Sequence, residues 1–274
     1  MLNCGTKQPD IRSPTRAGYM EISNRDFVNS LARGLEVIRS FTRTQPRMTL
    51  SDIAKSTGMT RATVRRFLLT LVREGYADTD GKYFSLRPKV LELGYAALSS
   101  MTFLDVIQPI IARLAEKVQE SCFVAVLDGT DVVYVASASP PERFVSISVN
   151  VGSRTPAHAV STGRVLVAAL PEEEQHAYLG RANLVKLTPN TVTSKVKLRS
   201  LIEETKMKGW SIVDQELEIG LRSIAVPIRD RAGKVVAALN VACPSSRISP
   251  EDMRSKILLE LQAASQTITA SLQR

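Results

Sequence analysis

Soft metal ligands are scarce in this chain: 274 residues hold three cysteines and two histidines. Cys4, Cys122 and Cys243 form no close pair, and His158 and His176 add too little for a zinc cluster. Long apolar runs are missing as well. The longest aliphatic stretch, Val165 to Leu170, spans six residues, against the roughly 20 that a membrane-crossing helix needs. The first 25 residues lack the apolar segment of a secretory signal. No internal repeat is visible. These absences point to a cytoplasmic globular protein without metal, cofactor or membrane partner.

Acidic residues are the other shortage. Lys and Arg number 36 against 27 Asp and Glu, a net charge of +9. Up to Leu98 the balance is 16 to 9, and beyond it 20 to 18. About a third of the chain therefore carries +7 of the excess. Such asymmetry implies an anionic partner for the N-terminal part, with nucleic acid first among the candidates and a solubilising surface as the plain alternative.

Residues 1–25 mix Pro, Gly, Ser, Thr and Arg without periodicity and read as a flexible tail. Phe27, Leu31, Leu35, Ile38 and Phe41 then recur at helical spacing. Pro46 interrupts. Thr49 with Asp52 three positions on forms a capping signal for a short helix holding Leu50, Ile53 and Ala54, which Gly58 ends. Thr60 caps a third helix whose inner stripe is Val64, Phe67, Leu68 and Leu71. Two strand-like pieces, Tyr76–Asp78 and Lys82–Leu86, flank an Asp80-Gly81 turn. Helix, short helix, turn, helix and hairpin is the winged helix-turn-helix order.

The third helix carries the chemistry. Opposite its apolar stripe stand Arg61, Ala62, Arg65 and Arg66, with Thr60 and Thr63 at its start. Guanidinium groups bind guanine edges or phosphates bidentately, and a small Ala62 lets the helix approach the groove. Arg61 and Arg65 are expected at base edges and Arg66 at phosphate. Arg33 and Lys55 decorate the other helices, and Lys82 sits at the wing tip, where Asp78 and Asp80 weaken its pull on DNA.

A helical pattern runs from Pro88 through Leu98, and a longer helix covers about 104 to 120. Strand-like runs follow at Cys122–Leu127, Val132–Ala136 and Arg143–Val149, then helices near Thr162–Leu170, Glu172–Leu179 and Thr193–Lys208. Strands return at Trp210–Val213, Ser223–Ile228 and Val235–Val241, before a helix capped by Ser249-Pro250. Hairpins interleaved with helices predict an α+β domain on a largely antiparallel sheet.

The segments SLARGLEVIRSF, LSDIAKSTGMTRATVRRFLLTLVREGY and DGKYFSL resemble the winged-helix domain of the IclR family of bacterial transcription regulators. VGSRTPAHAVSTGRVLVAAL and GWSIVDQELEIGLRSIAVPIRDRAGKVVAALNVACP resemble that family's second domain, so the likeness covers roughly residues 26–272 in order. Within the family, DQELEIGLRSIAVPIRD is most similar to regulators of protocatechuate, 4-hydroxybenzoate and β-ketoadipate pathways.

The resemblance implies a winged helix-turn-helix over 26–87, a linker helix over 88–103 and an effector-binding domain over 104–274. That second domain is expected to be a GAF-like or profilin-like antiparallel sheet with flanking helices. It further implies paired DNA half-sites, a homodimer or homotetramer with contacts in the N-terminal domain and the helix after Pro88, and a small organic acid effector. Ser161, Thr162, Asp214, Ser223 and Asn240 match positions lining the family's cavity. Ser223 stands where some members have Cys, and Ala242 where some have Ser.

For a carboxylate, Arg154 or Arg222 is a candidate bidentate partner, and the Ser161-Thr162-Gly163 helix start offers amides and a positive dipole end. Plainer roles exist for each. Glu218 and Arg222 are spaced to pair with each other, His158 suits a backbone-bonded loop residue, and Ser161 and Thr162 suit helix caps. The competing functional class is a small-molecule-processing enzyme with an appended nucleic-acid-binding module. Against it, AVSTG lacks the first glycine of a nucleophile elbow, and no phosphate-loop lysine pattern or assembled base and nucleophile is present.

Overall fold

A computed structural model describes residues 26–42, 44–94, 104–140 and 149–272. Two compact units result, Met1–Ser100 and Met101–Arg274. The expected tail over 1–25, the part of the expected linker helix over 95–103, and 143–148 of the expected strand Arg143–Val149 lie outside the described residues.

In the first unit, α1 (Asn29–Ser40), α2 (Leu50–Thr57) and α3 (Arg61–Arg73) pack around Val37, Met48, Ile53, Val64, Leu68 and Phe84. The capping box forms as its spacing predicts. Thr49 Oγ1 accepts from the Asp52 N–H at 3.3 Å, and Asp52 Oδ2 accepts from the Thr49 N–H at 2.9 Å. Gly58 closes α2 at φ 67°, a left-handed conformation that glycine adopts without strain.

The wing is β2 (Ala77–Thr79) and β3 (Tyr83–Leu86). A third strand, β1 (Arg47–Thr49), joins β3 in antiparallel register and gives the order β1-β3-β2. Sequence reading missed β1, because three residues after Pro46 are too few to show an alternating pattern.

Helix α1 departs from expectation. Val37 is its fully buried residue, while Phe27 (54 % exposed), Leu31 (63 %) and Leu35 (41 %) turn outward with Val28 (60 %). Its apolar spacing therefore describes two stripes, of which only the C-terminal one meets the core.

The second unit is a six-stranded, wholly antiparallel sheet of order β6-β5-β4-β9-β8-β7. Its strands are β4 (Ser121–Asp128), β5 (Asp131–Ala138), β6 (Arg154–Pro156), β7 (Ser211–Asp214), β8 (Leu221–Arg229) and β9 (Val235–Pro244). Helix α4 (Leu104–Val118) covers one face together with α8 (Leu258–Leu272), which follows a π segment at Met253–Ile257. Alternate residues Cys122, Val124, Ile224, Val226, Val241 and Cys243 point to that side. The other face carries Phe123, Ala125, Ala225, Ala238 and Ala242 beneath α5 (Ser161–Ala168), α6 (Glu172–Arg181) and α7 (Lys195–Lys208). Small residues on this face let α5, buried along its whole length, lie close to the sheet.

Candidate functional site

The outer face of α3 is built by the same periodicity that buries Val64 and Leu68. Arg61, Ala62, Arg65 and Arg66 are all exposed, and among the described residues none of the three arginines makes an ion pair. Thr60 accepts from the Thr63 N–H at 3.3 Å, and the two hydroxyls lie 2.9 Å apart, so both threonines serve the cap that starts the helix. Arg33 is exposed on α1.

At the wing, Asp80 is consumed locally. Its Oδ1 accepts from the Lys82 and Tyr83 N–H groups at 2.9 and 2.7 Å, and its Oδ2 meets Arg47 at 2.6 Å. These backbone bonds, more than Arg47, hold its carboxyl below the usual range. Lys82 and Arg47 both lie over the Tyr83 ring, at 5.2 and 5.4 Å from its centroid. Arg47 is the basic residue that sequence reading passed over, and the β1–β3 pairing is what brings it to the wing.

A second concave feature lies between the sheet and the segment entering α5. A small cavity of about 20 Å³ is lined by Phe123, Tyr134, Val149, Ala159, Val160, Val213, Leu217, Leu221, Ser223, Asn240 and Ala242. That is room for about one water molecule. Phe123 and Tyr134 meet edge to face, 5.7 Å between centroids. Ser223 reaches Ser161 Oγ at 2.8 Å, joining β8 to the first turn of α5. Asn240 Oδ1 and Thr162 Oγ1 are buried without a hydrogen-bond partner. Burial is the main cause that raises the Tyr134 phenol pKa.

Helix α5 begins without a side-chain cap. Val160 is its N-cap, so Ser161 and Thr162 are not the capping residues that sequence reading allowed for. Ser161, Thr162 and Gly163 of its first turn are buried, next to cavity residue Val160, and no side chain caps the helix.

Ser223 and Asn240 thus line the cavity, while Ser161 and Thr162 stand beside it. Arg154, Asp214 and Arg222 do not line it. Asp214 pairs in register with Arg222, and Val213 with Ser223. Since side chains alternate across a strand, Val213 and Ser223 face the cavity while Asp214 and Arg222 point to the other side of the sheet.

There Arg222 binds Asp214 bidentately, 2.9 Å at each oxygen, and also donates to the Ser245 and Ile248 carbonyls. Its partner is Asp214, not Glu218. Arg154 sits at the sheet edge, half-exposed, bridging Asp128 at 2.5 Å and Asp131 at 3.4 Å. His158 Nε2 lies 3.2 Å from the Val185 carbonyl, the backbone-bonded role expected of it.

Neither buried thiol suits nucleophilic chemistry. Burial first, then Glu120, pushes Cys243 up to about 12 and Cys122 well above the usual thiol range. Among the described residues no group of His, Cys, Asp or Glu could hold a metal, and no helix is long and apolar enough to cross a membrane.

Two family models match: the IclR helix-turn-helix domain over residues 30–81 and the bacterial transcriptional regulator IclR C-terminal domain over 95–270. The chain belongs to the IclR family of bacterial transcriptional regulators. Its relatives include the Pca regulon regulatory protein of Pseudomonas putida, 41 % identical over 96 % of this chain and 91 % of that protein. A putative transcriptional regulator from Rhodococcus sp. RHA1 is similar in structure, with TM-score 0.78 and 46 % identity over 90 % of this chain and 98 % of the other. An IclR homologue from Microbacterium hydrocarbonoxydans complexed with 4-hydroxybenzoate has TM-score 0.75 and 26 % identity, covering 89 % and 98 % of the two chains.

As an IclR regulator the protein binds DNA and responds to a small-molecule effector, and the enzyme alternative is set aside. Of the cavity's walls, sequence reading named the polar residues but missed Phe123, Tyr134, Leu217 and Leu221. As apolar or aromatic residues they carried no signal separating cavity from core.

Proposed function

We propose that this IclR regulator controls genes for breaking down aromatic compounds, with a small aromatic carboxylic acid as effector. The observation that carries the reading is the pairing, at one cavity, of a buried uncapped helix start with the unpartnered acceptor Asn240 Oδ1. A carboxylate is received by the first-turn amides of α5 and its positive dipole end, not by an arginine. A ring hydroxyl donates to Asn240 Oδ1, while Ser223, 2.8 Å from Ser161 Oγ, stands with the helix start. Phe123 and Tyr134 flank the ring. The 4-hydroxybenzoate carried by the Microbacterium homologue has these two groups on one ring. Its bulk exceeds the cavity, so binding moves the walls apart.

On the DNA side, Arg61 and Arg65 read base edges and Arg66 takes phosphate. Thr60, Ala62 and Thr63 line the approach, with Arg33, Lys82 and Arg47 adding contacts to the backbone. The outward stripe Phe27, Val28, Leu31 and Leu35 supports a homodimer, because an exposed apolar face of this kind marks an interaction surface. Dimers, or dimers paired into tetramers, present two reading heads to half-sites about 34–36 Å apart. The working division is a reading domain over 26–87, a linker over 88–103 and an effector domain over 104–274, in the cytoplasm. The effector acts by binding one arrangement of the heads better than the other.

The test is a thermal-shift series on the full chain with 4-hydroxybenzoate, 3,4-dihydroxybenzoate and benzoate, followed by DNA binding to duplexes selected from a random pool. Stabilisation by a hydroxylated acid, together with a change in DNA affinity, is expected. No stabilisation by any aromatic acid overturns the effector reading.

A further inference from the structure

Next to lining residues Val160 and Leu217, but not itself part of the cavity's lining, lies a buried ion pair. Arg164, in the second turn of α5, is 3 % exposed and Glu216 is 7 % exposed. Arg164 Nη2 reaches both carboxylate oxygens at 2.7 Å, and Glu216 Oε2 also accepts from the Val192 N–H at 3.0 Å. Arg164 Nε has no partner. Burying two charges is costly, and an apolar pair of similar volume usually serves stability as well or better. The pair therefore calls for a reason other than stability.

Its surroundings supply one. Gln215 holds φ at 57°, a left-handed turn that sends Glu216 toward α5 while its neighbour Leu217 faces the cavity. The backbone of this turn is fastened from a second side. Thr188 Oγ1 donates to the Gln215 carbonyl at 2.7 Å, and Thr191 Oγ1 to the Glu216 carbonyl, also at 2.7 Å. Gln215 Oε1 in turn accepts from the Gly220 N–H at 3.1 Å, one residue before Leu221 of the cavity wall. The Val185 carbonyl, in the same 183–192 loop, holds His158 beside cavity residue Ala159. Helix α5, the loop and the 215–220 turn thus form one polar frame, buried at Arg164 and Glu216 and exposed at Gly220, around an apolar wall.

We infer that Glu216 is a positioning residue for the effector: through Arg164 it sets the separation between Leu217 and helix α5, and so which ring substituents the cavity admits, without touching the ligand. The inference rests on the effector reading above. Glu216 sets how far the Leu217 wall opens when the ring enters, and rings that differ by one substituent need different openings because a close-packed surface moves only as far as its anchors allow.

The experiment is isothermal titration of the full chain with 4-hydroxybenzoate and with the bulkier 4-hydroxy-3,5-dimethoxybenzoate. Three proteins are compared with the wild type: Glu216→Gln, the double variant Arg164→Met/Glu216→Leu, and Leu217→Trp. The double variant keeps the volume and leaves no buried charge, so it decides the matter if Glu216→Gln fails to give a cooperative melt. Expected are at least tenfold weaker binding of 4-hydroxybenzoate in Glu216→Gln, and a preference over the dimethoxy acid narrowed at least fivefold in the double variant. Wild-type affinity and preference in the folded double variant, with binding abolished by Leu217→Trp, overturn the positioning role alone. If the wild type binds neither acid, or Leu217→Trp binds as the wild type does, the cavity reading fails and the inference falls with it.

Discussion

Gly163 and Ala157 pack so closely that a Cβ on Gly163 would stand 2.1 Å from the Ala157 carbonyl oxygen and 2.4 Å from its Cα. Helix α5 can lie against the turn that precedes it only because residue 163 has no side chain. The same turn supplies Ala159 and Val160 to the cavity, so this contact fixes the first turn of α5 next to them. Gly163→Ala must move backbone rather than a flexible side-chain end. A loss of about 1–3 kcal/mol or more is expected, as for overpacked cores. Urea unfolding of the full chain checks it, and an unchanged midpoint would show that the turn yields freely.

Arg65 stands exposed on α3 and free of ion pairs among the described residues. Arg65→Ala is expected to cost about 1–3 kcal/mol on the selected operator and to relax preference at one base position. Arg66→Ala should instead weaken all sequences alike and flatten the salt dependence by about one phosphate contact. Binding measured at several salt concentrations separates the two roles.

The sheet's parity yields a contrast between two arginines. Arg154→Ala removes a half-exposed pair at the sheet edge and should leave effector affinity unchanged within about twofold, with a stability change under about 1 kcal/mol. Arg222→Met leaves Asp214 and two carbonyls without their donor, so it lowers the melting temperature. Effector titration and thermal melts read both, and loss of effector binding in Arg154→Ala would return that residue to the site.

His158 carries its proton on Nε2, because the Val185 carbonyl it faces can only accept. Burial is the main cause holding its pKa below the usual histidine value, against the smaller opposing pull of that carbonyl bond. The unfolded chain therefore binds this proton more readily than the folded one. Stability is complete above about pH 6.5, the free-histidine value, and declines as pH falls below it. Melting temperature against pH should show this decline, and His158→Gln should reduce it.

Leu31 is 63 % exposed in the middle of the outward apolar stripe of α1. Leu31→Glu is expected to shift the protein toward monomer in sedimentation and to weaken binding to paired half-sites more than to a single half-site. An unchanged oligomeric state would move the dimer contact elsewhere.

Local signals were legible in the residues themselves. Thr49 with Asp52 and Thr60 with Thr63 start their helices, and Gly58 and Gly81 mark turns, because each acts within about four positions of the chain. The basic face of α3 follows from the same arithmetic, since burying Val64 and Leu68 leaves Arg61, Arg65 and Arg66 outside. Tertiary structure alone decided which side of β7 and β8 meets the cavity. Asp214 and Ser223 look equally suitable in the sequence, yet the register that pairs Val213 with Ser223 turns Asp214 away.

The scarcity of soft metal ligands, the lack of long apolar runs and the charge concentrated before Leu98 were determined by the sequence alone, and they pointed to a nucleic-acid partner. Only the folded chain decided that Arg154 and Arg222 are spent on carboxylates, that the uncapped start of α5 and Asn240 meet at one cavity, and that Arg164 and Glu216 meet across 52 positions. The reason is range. Caps and turns answer to the nearest residues, whereas strand parity and buried pairing depend on contacts that the chain makes only when distant segments close on one another.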